Sequence, residues 1–426
     1  MTEPVFLALP SLTPSLALEV LPRGLTIHRL YVQADGRTHD LVIGPEDPKD
    51  HLNQKYTNTI VGRYANRIPT DSQPYIISRN KITSAFTPQP NESPSVSLHG
   101  GKSGFDSRDF EPLLDLGAVR LFTNKEKASI AEKYDNGAAM IFRRVSEDGE
   151  EGFPGKLLLE VLVALVEPHG PQIEKLELSL GSIVIVYRAK LLDENKVTPI
   201  NLTQHWGFNL DASLKDEVPD SLSVKEHKLS IKADHTISLT ETGLSTGALS
   251  PVKGTHHAHG EKETGKIGEK WPEGGYDHFY LFSRPSPPST QPTRIPASQL
   301  TPDTSFVEEL FTKEPESVDP VVELASDRSG IRLSFDTNQS GVQFYTNNLT
   351  NPSKGARKKI HGGSGISGKG DSYDVGTAAF LEFHEPLAAW LHPETQGPDK
   401  NDTLLASGEV YNNFVRVDVW YTSPPV

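Results

Sequence analysis

The chain has 426 residues, a formal net charge of −14 at pH 7 and no cysteine. The acidic balance argues against nucleic acids and anionic membranes as partners, because both require basic surface. The lack of cysteine excludes disulfide bonds, thiolate metal sites and thiol nucleophiles. The chain exceeds the usual domain size, but a large all-β unit can reach this length.

The N-terminus and the apolar runs predict neither a signal peptide nor a membrane span. Glu3 stands where a signal peptide carries basic residues, and prolines at positions 4, 10 and 14 interrupt any apolar helix. Residues 157–166 form an apolar run that is too short to cross a bilayer. We therefore expect a cytoplasmic protein.

Strand patterns dominate the chain. Its 34 glycines and 33 prolines divide it into short segments, and no amphipathic helix of convincing length is predicted. Strands are predicted at residues 23–32, 39–43, 58–68, 75–77, 81–86, 138–144, 156–165, 173–180, 183–189, 200–210, 229–239, 321–324, 331–335, 341–348, 378–385 and 408–421, and within 271–283. The pattern predicts an all-β fold.

Two polar segments are predicted to be surface insertions in a single domain that spans residues 1–426. Residues 284–316 are rich in Pro, Ser, Thr and Gln, and residues 351–371 are basic and rich in glycine. Such compositions are typical of loops. In so acidic a protein we expect the second segment to be a solvated loop and not a binding patch.

Two histidines lie in segments where a ligand contact is plausible. His205 is in the stretch INLTQHWGFNL, whose first residues alternate between apolar and polar as a half-buried strand does. A lone histidine in such a strand is more often a core residue with a satisfied partner. His99 precedes two glycines, which predict a loop at a strand end, a common place for ligand contacts.

Metal binding is not predicted at any of the histidines. His99 has no second histidine or carboxylate at i+2 or i+4. His256, His257 and His259 lie in a loop rich in Lys, Gly and Glu, without cysteine or a nearby carboxylate pair. The spacing of a metal site is therefore missing in both places.

Seven short motifs follow one another along the chain: GRYANRI, SLHGG, NLTQHWGFNL, YDH, GVQFYT, FLEF and SGEVY. Together they resemble the aldose 1-epimerases (galactose mutarotases), from about residue 23 to about residue 420. The resemblance implies a large antiparallel β-sandwich, the supersandwich of the galactose mutarotases. It also implies interconversion of the α and β anomers of free aldohexoses such as glucose and galactose, without cofactor or metal. The expected partner is a small sugar, bound by a monomer or weak dimer.

The resemblance also implies a role for particular residues. His205 matches the general acid of the family, and Glu382 in FLEF matches the general base. Alone, each of the other matched residues would equally suit a structural role, such as a turn cap or a surface ion pair. The residues that match sugar-binding positions are Asn66, Arg67, His99, Asp277 and Gln343.

The sequence departs from the family pattern around the acid. The family has Asn before the histidine and Ser-Tyr after it, whereas this chain has Gln204, Trp206 and Gly207. We expect the departure to affect sugar preference more than the reaction. Trp206 or another ring is expected to supply an apolar face for the C–H surface of the sugar.

The second departure leaves the identity of the base open. The family reads Leu-Glu-Thr-Gln at this motif, whereas here Phe383 follows Glu382. An ETQ string occurs at residues 394–396, so Glu394 is an alternative base, and Glu385 is a third candidate. We favour Glu382, because an apolar strand would desolvate and orient its carboxylate.

Three other functions compete with mutarotation of a free sugar. An epimerase for hexose 6-phosphates needs cations for the dianion, and Arg63, Lys102 and Arg108 are candidates. A non-catalytic sugar-binding protein could share the fold. A glycoside hydrolase is less favoured, because it needs two carboxylates on one bond and only one glutamate lies in a matching motif.

Overall fold

The computed structural model describes residues 3–168, 177–260, 265–283, 291–315, 319–397 and 399–424. In this part of the chain 28 strands and two α-helices are present, and every pair of strands is antiparallel. The expected all-β antiparallel fold is confirmed. No helix among the described residues is long and apolar enough to cross a membrane.

The strands are numbered in chain order. The first ten are β1 Val5–Ala8, β2 Leu16–Leu21, β3 Thr26–Ala34, β4 Arg37–Asp40, β5 Ile60–Val61, β6 Arg67–Pro69, β7 Tyr75–Arg79, β8 Ile82–Phe86, β9 Val96–Leu98 and β10 Glu111–Leu113. The next ten are β11 Ala139–Ser146, β12 Leu157–Val166, β13 Leu178–Leu191, β14 Val197–Pro199, β15 Thr203–Gln204, β16 Gly207–Phe208, β17 Lys228–Ile231, β18 Ala233–Leu239, β19 Ser245–Pro251 and β20 Gly265–Lys266. The last eight are β21 Asp277–Phe282, β22 Arg294–Pro296, β23 Val322–Ala325, β24 Ile331–Thr337, β25 Gly341–Tyr345, β26 Ala379–His384, β27 Leu404–Ala406 and β28 Glu409–Tyr421. The helices are α1 Asn124–Asp135 and α2 Glu308–Thr312.

A ten-stranded sheet forms the larger layer, in the order β10-β11-β12-β13-β28-β24-β23-β17-β20, with β22 paired to β28. Every residue of β12 is buried, which requires cover on both faces. Val161 and Val163 face the main core, whereas Leu162 and Ala164 belong to a second core that includes α1 and α2. The long apolar run in the sequence is therefore the central part of a sheet covered on both sides.

A six-stranded sheet, β16-β26-β25-β21-β18-β19, packs against this layer. Its inner face carries apolar side chains such as Phe383, whose ring stacks on Phe335 of the larger sheet at 5.2 Å. Because side chains alternate along a strand, the neighbouring residue Glu382 lies on the opposite face. The strand alternation therefore directs a row of polar residues away from the core.

Several sequence predictions of secondary structure are wrong. The strand predicted at 58–68 is divided into β5 and β6, and the strand predicted at 229–239 is divided into β17 and β18. A helix is also present where none was predicted. Residues 118–138 contain the helix α1, which begins with a capping box between Thr123 and Glu126. Residues 200–210 do not form one strand but the two short strands β15 and β16, on either side of His205. Two separate strands were predicted at 173–180 and 183–189, whereas the structure has one strand, β13, from Leu178 to Leu191. Residues 173–176 lie outside the described residues.

The segment 284–316 is not simply a surface loop. Residues 284–290 and 316 lie outside the described residues. In the rest of the segment, β22 pairs with β28, and Leu310 and Phe311 of α2 are buried against the second core. The prediction of a surface loop is therefore wrong for β22 and α2, which pair or pack with the rest of the fold.

The segment 351–371 also differs from the expected solvated loop. Lys358 is fully buried, and its ammonium group lies 2.8 Å from the buried carboxylate of Asp40. Ala356 and His361 are buried as well. The segment is fixed to β3 and β4 by this charge pair and by Lys358 hydrogen bonds to the carbonyl groups of His28 and Val42.

Candidate active site

A cavity of about 440 Å³ opens on the polar face of the six-stranded sheet. Its walls contain all seven residues that the sequence motifs single out as site residues. These are Asn66, Arg67, His99, His205, Asp277, Gln343 and Glu382.

Three of these residues come from adjacent strands of the sheet. Gln343 of β25 lies directly opposite Glu382 of β26, and Asp277 begins the next strand, β21. The amide nitrogen of Gln343 donates a hydrogen bond of 2.7 Å to the Asp277 carboxylate. The sheet thus fixes two carboxylates and one amide on the floor of the cavity.

His205 lies between β15 and β16 at the edge of this sheet. Its Nε2 atom is 3.2 Å from Oε1 of Glu382. Its backbone N–H donates to the Thr59 carbonyl, and its carbonyl accepts from the Asn58 N–H, both at 2.8 Å. The imidazole is thereby held against the carboxylate at the bottom of the cavity.

Trp206 is not available as a platform for a sugar. Its ring is buried in the main core, and its indole N–H donates to the Leu381 carbonyl. The tyrosine and phenylalanine rings that line the cavity are instead Tyr56, Tyr345, Tyr373 and Phe380. Tyr345 and Phe380 belong to the motifs GVQFYT and FLEF, which the sequence matched through Gln343 and Glu382. Tyr56 and Tyr373 come from loops outside the seven motifs, so the sequence did not indicate them.

His99 and Asn66 fix one another. Both have left-handed backbone angles, with φ of +52° and +63°. The Asn66 N–H donates to Nδ1 of His99 at 3.2 Å, and the His99 N–H donates to the Asn66 carbonyl at 3.0 Å. The next residue, Gly100, has to be glycine, since a Cβ atom there would lie 2.0 Å from the Gly62 carbonyl oxygen. These constraints place His99 at the cavity wall.

The tautomer of His99 follows from these contacts. A backbone N–H can only donate, so Nδ1 of His99 is the acceptor and a neutral ring carries its proton on Nε2. His99 therefore offers an N–H donor and no free lone pair. Such a donor suits a sugar oxygen.

His99, His205 and Glu382 form a cluster with the residue types of a metal site. One potential ligand atom from each lies within 4.8 Å of the others, which the sequence spacing did not indicate. The bonding of His99 does not fit a metal, however, because a metal ligand needs the lone pair that the proton on Nε2 occupies. The arrangement favours hydrogen bonding over metal coordination.

Arg67 lies at the side of the cavity. Its guanidinium group makes two hydrogen bonds to the Glu92 carboxylate, at 2.7 and 2.8 Å. Glu92 also lines the cavity. The bidentate pair holds the guanidinium in a fixed orientation, with its remaining N–H groups available for a ligand.

Burial shifts the pKa values of the central groups in opposite directions. Desolvation, with a further contribution from Asp277, raises the pKa of Glu382 well above its usual value, while Arg67 opposes the shift. Desolvation lowers the pKa of His205 to about 4. It also lowers the pKa of His99 well below its usual value, with a contribution from His205. The carboxylate becomes a stronger base and the imidazolium a stronger acid.

The two other candidates for the base lie outside the cavity walls. The Glu394 carboxylate is 55% exposed and lies 3.4 Å from His392. Glu385 is buried, and its carboxylate accepts a hydrogen bond from the Ser340 hydroxyl. Only Glu382 of the three lines the cavity with His205.

The histidines at positions 256, 257 and 259 pack beside the six-stranded sheet. Nδ1 of His257 lies 2.8 Å from the Tyr280 hydroxyl, and His259 contacts the Tyr276 ring. Tyr280 is on the inner face of β21, opposite to the face that carries Asp277. These histidines are therefore separate from the cavity.

Comparison with known proteins gives a consistent result. The family described as aldose 1-epimerase matches residues 13–416. A galactose mutarotase from Sus scrofa is 29% identical over 337 residues, which are 78% of this chain and 75% of that protein. An aldose 1-epimerase from Escherichia coli is 29% identical over 223 residues, 52% of this chain and 50% of that protein.

Solved structures share the fold. A GalM/aldose epimerase homologue from C. elegans has a TM-score of 0.67 at 20% sequence identity, covering 99% of this chain and all of that chain. A galactose 1-epimerase from Lactobacillus acidophilus has a TM-score of 0.61 at 16% sequence identity, covering 98% of this chain and 99% of that chain.

Proposed function

The chain belongs to the aldose 1-epimerase family, and we propose that it interconverts the α and β anomers of a free aldohexose, glucose or galactose, by acid–base ring opening and closure. One observation carries the chemical part of the proposal. An imidazole nitrogen and a carboxylate oxygen lie 3.2 Å apart inside a cavity that offers sugar-binding groups on its other walls.

The reaction requires two proton transfers at one anomeric centre. A base removes the proton from O1 while an acid protonates the ring oxygen O5, and the C1–O5 bond breaks to give the open aldehyde. O1 and O5 are bonded to the same carbon, so two groups close to one another can serve both atoms. Glu382 acts as the base and His205 as the acid.

Glu382 and His205 together carry one proton before ring opening and one proton after it. On ring opening Glu382 takes the O1 proton and His205 gives its proton to O5, which leaves a neutral carboxyl and a neutral imidazole. Rotation about the C1–C2 bond presents the other face of the aldehyde, and closure reverses both transfers. The raised pKa of Glu382 and the lowered pKa of His205 favour both transfers of the opening step.

The other residues hold the sugar. Asp277 and Gln343 are already hydrogen-bonded to each other and present acceptors and donors to vicinal hydroxyl groups. His99 offers its Nε2–H, and Arg67 offers guanidinium N–H groups. The side-chain oxygen of Asn66 accepts from the Arg67 backbone N–H, which leaves the amide NH₂ group to bind a hydroxyl.

A phosphorylated substrate is less well supported than a free sugar. The three basic residues considered for a phosphate do not line the cavity. Arg63 is buried and donates to carbonyl groups such as that of Gly155, and Arg108 pairs with Glu150. Two other lysines, Lys55 and Lys354, do line the cavity, so the two substrates need a direct comparison.

Polarimetry on freshly dissolved α-galactose and α-glucose tests the proposal. We expect the protein to speed the approach to equilibrium rotation well above the buffer rate. A higher kcat/KM on glucose 6-phosphate than on either free sugar would favour the phosphate-specific alternative. Sugar binding in calorimetry without faster anomer exchange would instead establish a non-catalytic binding protein.

A further inference from the structure

Two of the three residues that depart from the family pattern beside His205, Gln204 and Gly207, have a common structural partner, Asn58. The side-chain amide of Gln204 donates to the Asn58 carbonyl at 2.6 Å. The backbone N–H of Gly207 donates to the Asn58 side-chain oxygen at 2.9 Å. Gln204 and Gly207, which stand on either side of His205 and Trp206, are thus both bonded to Asn58.

The backbone of His205 is bonded to the same short segment. The Asn58 N–H donates to the His205 carbonyl, and the His205 N–H donates to the carbonyl of the next residue, Thr59, both at 2.8 Å. Asn58 is fully buried, and its amide nitrogen donates to the Ile43 carbonyl at 2.6 Å. Three of the four polar groups of Asn58 are therefore bonded to residues 204–207, and the fourth is bonded to Ile43.

The backbone conformation explains why asparagine is suitable here. Asn58 has a φ of +59°, a left-handed conformation that asparagine adopts more readily than most residues other than glycine. Glycine would permit the turn but would leave the buried Gly207 N–H without its acceptor. The side chain thus adds a contact that the turn itself does not require.

Gly207 allows an aromatic ring to complete the arrangement. A Cβ atom on Gly207 would lie 2.6 Å from the Phe380 ring, so the tip of the ring packs directly on this glycine. The same ring lies 4.8 Å from the His205 ring, centroid to centroid. Fixing the backbone of Gly207 through Asn58 therefore also fixes a wall against which the imidazole packs.

We propose that Asn58 is a positioning residue for His205, which directs the imidazole at the anomeric centre without touching the sugar. Asn58 does not line the cavity, so it acts through His205. This inference rests on the proposed function, in which His205 transfers a proton. A misplacement of a catalytic group by about 1 Å can lower the rate about 100-fold.

The substitution Asn58→Gly tests the proposal, because it keeps the left-handed turn and the backbone hydrogen bonds and removes only the side chain. We expect kcat to fall about 10- to 100-fold. We expect KM, and the Kd of the analogue 1,5-anhydro-D-galactitol, which lacks O1, to change less than about two-fold. The midpoint of the low-pH limb of the rate profile should move from about pH 4 toward pH 6.5, because a less confined imidazole is better solvated and its pKa is lowered less.

Two further variants make the result interpretable. Asn195→Gly replaces an exposed asparagine with a similar φ of +55°, and it should leave kcat unchanged. Gln204→Met removes the donor to the Asn58 carbonyl at similar side-chain length, and it should lower kcat with KM kept, which tests the arrangement even where Asn58→Gly does not fold.

The outcomes separate the inference from the function on which it rests. A wild-type protein without mutarotase activity would overturn the proposed function. An active wild type combined with a folded Asn58→Gly variant of unchanged kcat would overturn only the positioning role. Equal losses of kcat and of analogue binding would also overturn it, because they would indicate a general disturbance of the cavity.

Discussion

His205 and Glu382 lie opposite one another because of the strand register. Gly207 of β16 pairs with Phe380 of β26 in an antiparallel ladder, and continuing that register by two residues places His205 opposite Glu382. The measured separation of 3.2 Å between Nε2 and Oε1 agrees with this position. The ladder thus brings together two groups from distant parts of the chain.

The substitution Glu382→Gln should lower kcat by about 10²–10⁴-fold, the usual contribution of a positioned base. The amide keeps the size of the side chain but cannot accept the O1 proton. Polarimetry on α-galactose measures the effect. Glu394→Gln is the matched control, since Glu394 is exposed and lies outside the cavity. A loss confined to Glu394→Gln would move the base to that residue.

The proton count predicts a bell-shaped dependence of kcat/KM on pH. The active pair holds one proton. Below the lowered pKa of His205, about 4, a second proton enters and no base remains, so activity falls with decreasing pH. Above the raised pKa of Glu382 the single proton is lost and no acid remains, so activity falls with increasing pH. A low-pH limb centred near 6.5 would contradict the buried, neutral imidazole.

Much of the site was predictable because its residues lie on elements with clear local patterns. The apolar strand that contains Glu382 indicated an oriented, desolvated carboxyl, and that residue is 2% exposed in the structure. The contacts among these residues were not predictable. The hydrogen bond from Asn66 to His99 and the pairing of Arg67 with Glu92 depend on where separate loops meet.

The overlooked helix α1 illustrates a different limit. Its start was encoded in Thr123 and Glu126, which form the capping box. Its buried side is not an apolar stripe, however, because Glu126 is fully buried in an ion pair of 2.7 Å with Arg188 of β13. A periodicity search relies on apolar residues, so a helix attached through a buried charge pair gives a weak signal.

The substitution Arg67→Gln should move the high-pH limb of the kcat/KM profile to higher pH. The Arg67 guanidinium lowers the pKa of Glu382, so its removal disfavours the carboxylate and raises that pKa further. The KM for galactose should also rise, because a sugar-binding donor is lost. The pH profile from polarimetry checks both effects. A high-pH limb at the same or a lower pH would exclude this electrostatic coupling between Arg67 and Glu382.

The substitution Lys358→Ala should lower the free energy of unfolding by roughly 3 kcal/mol. Removing one member of a buried ion pair leaves the other charge uncompensated, which costs about 3–5 kcal/mol. The lower value is expected because Arg29 remains 3.4 Å from Asp40. Urea unfolding measures the change, and Lys369→Ala, an exposed position in the same segment, should stay within about 0.5 kcal/mol of the wild type. Equal stability of the two variants would show that Lys358 does not anchor residues 351–371.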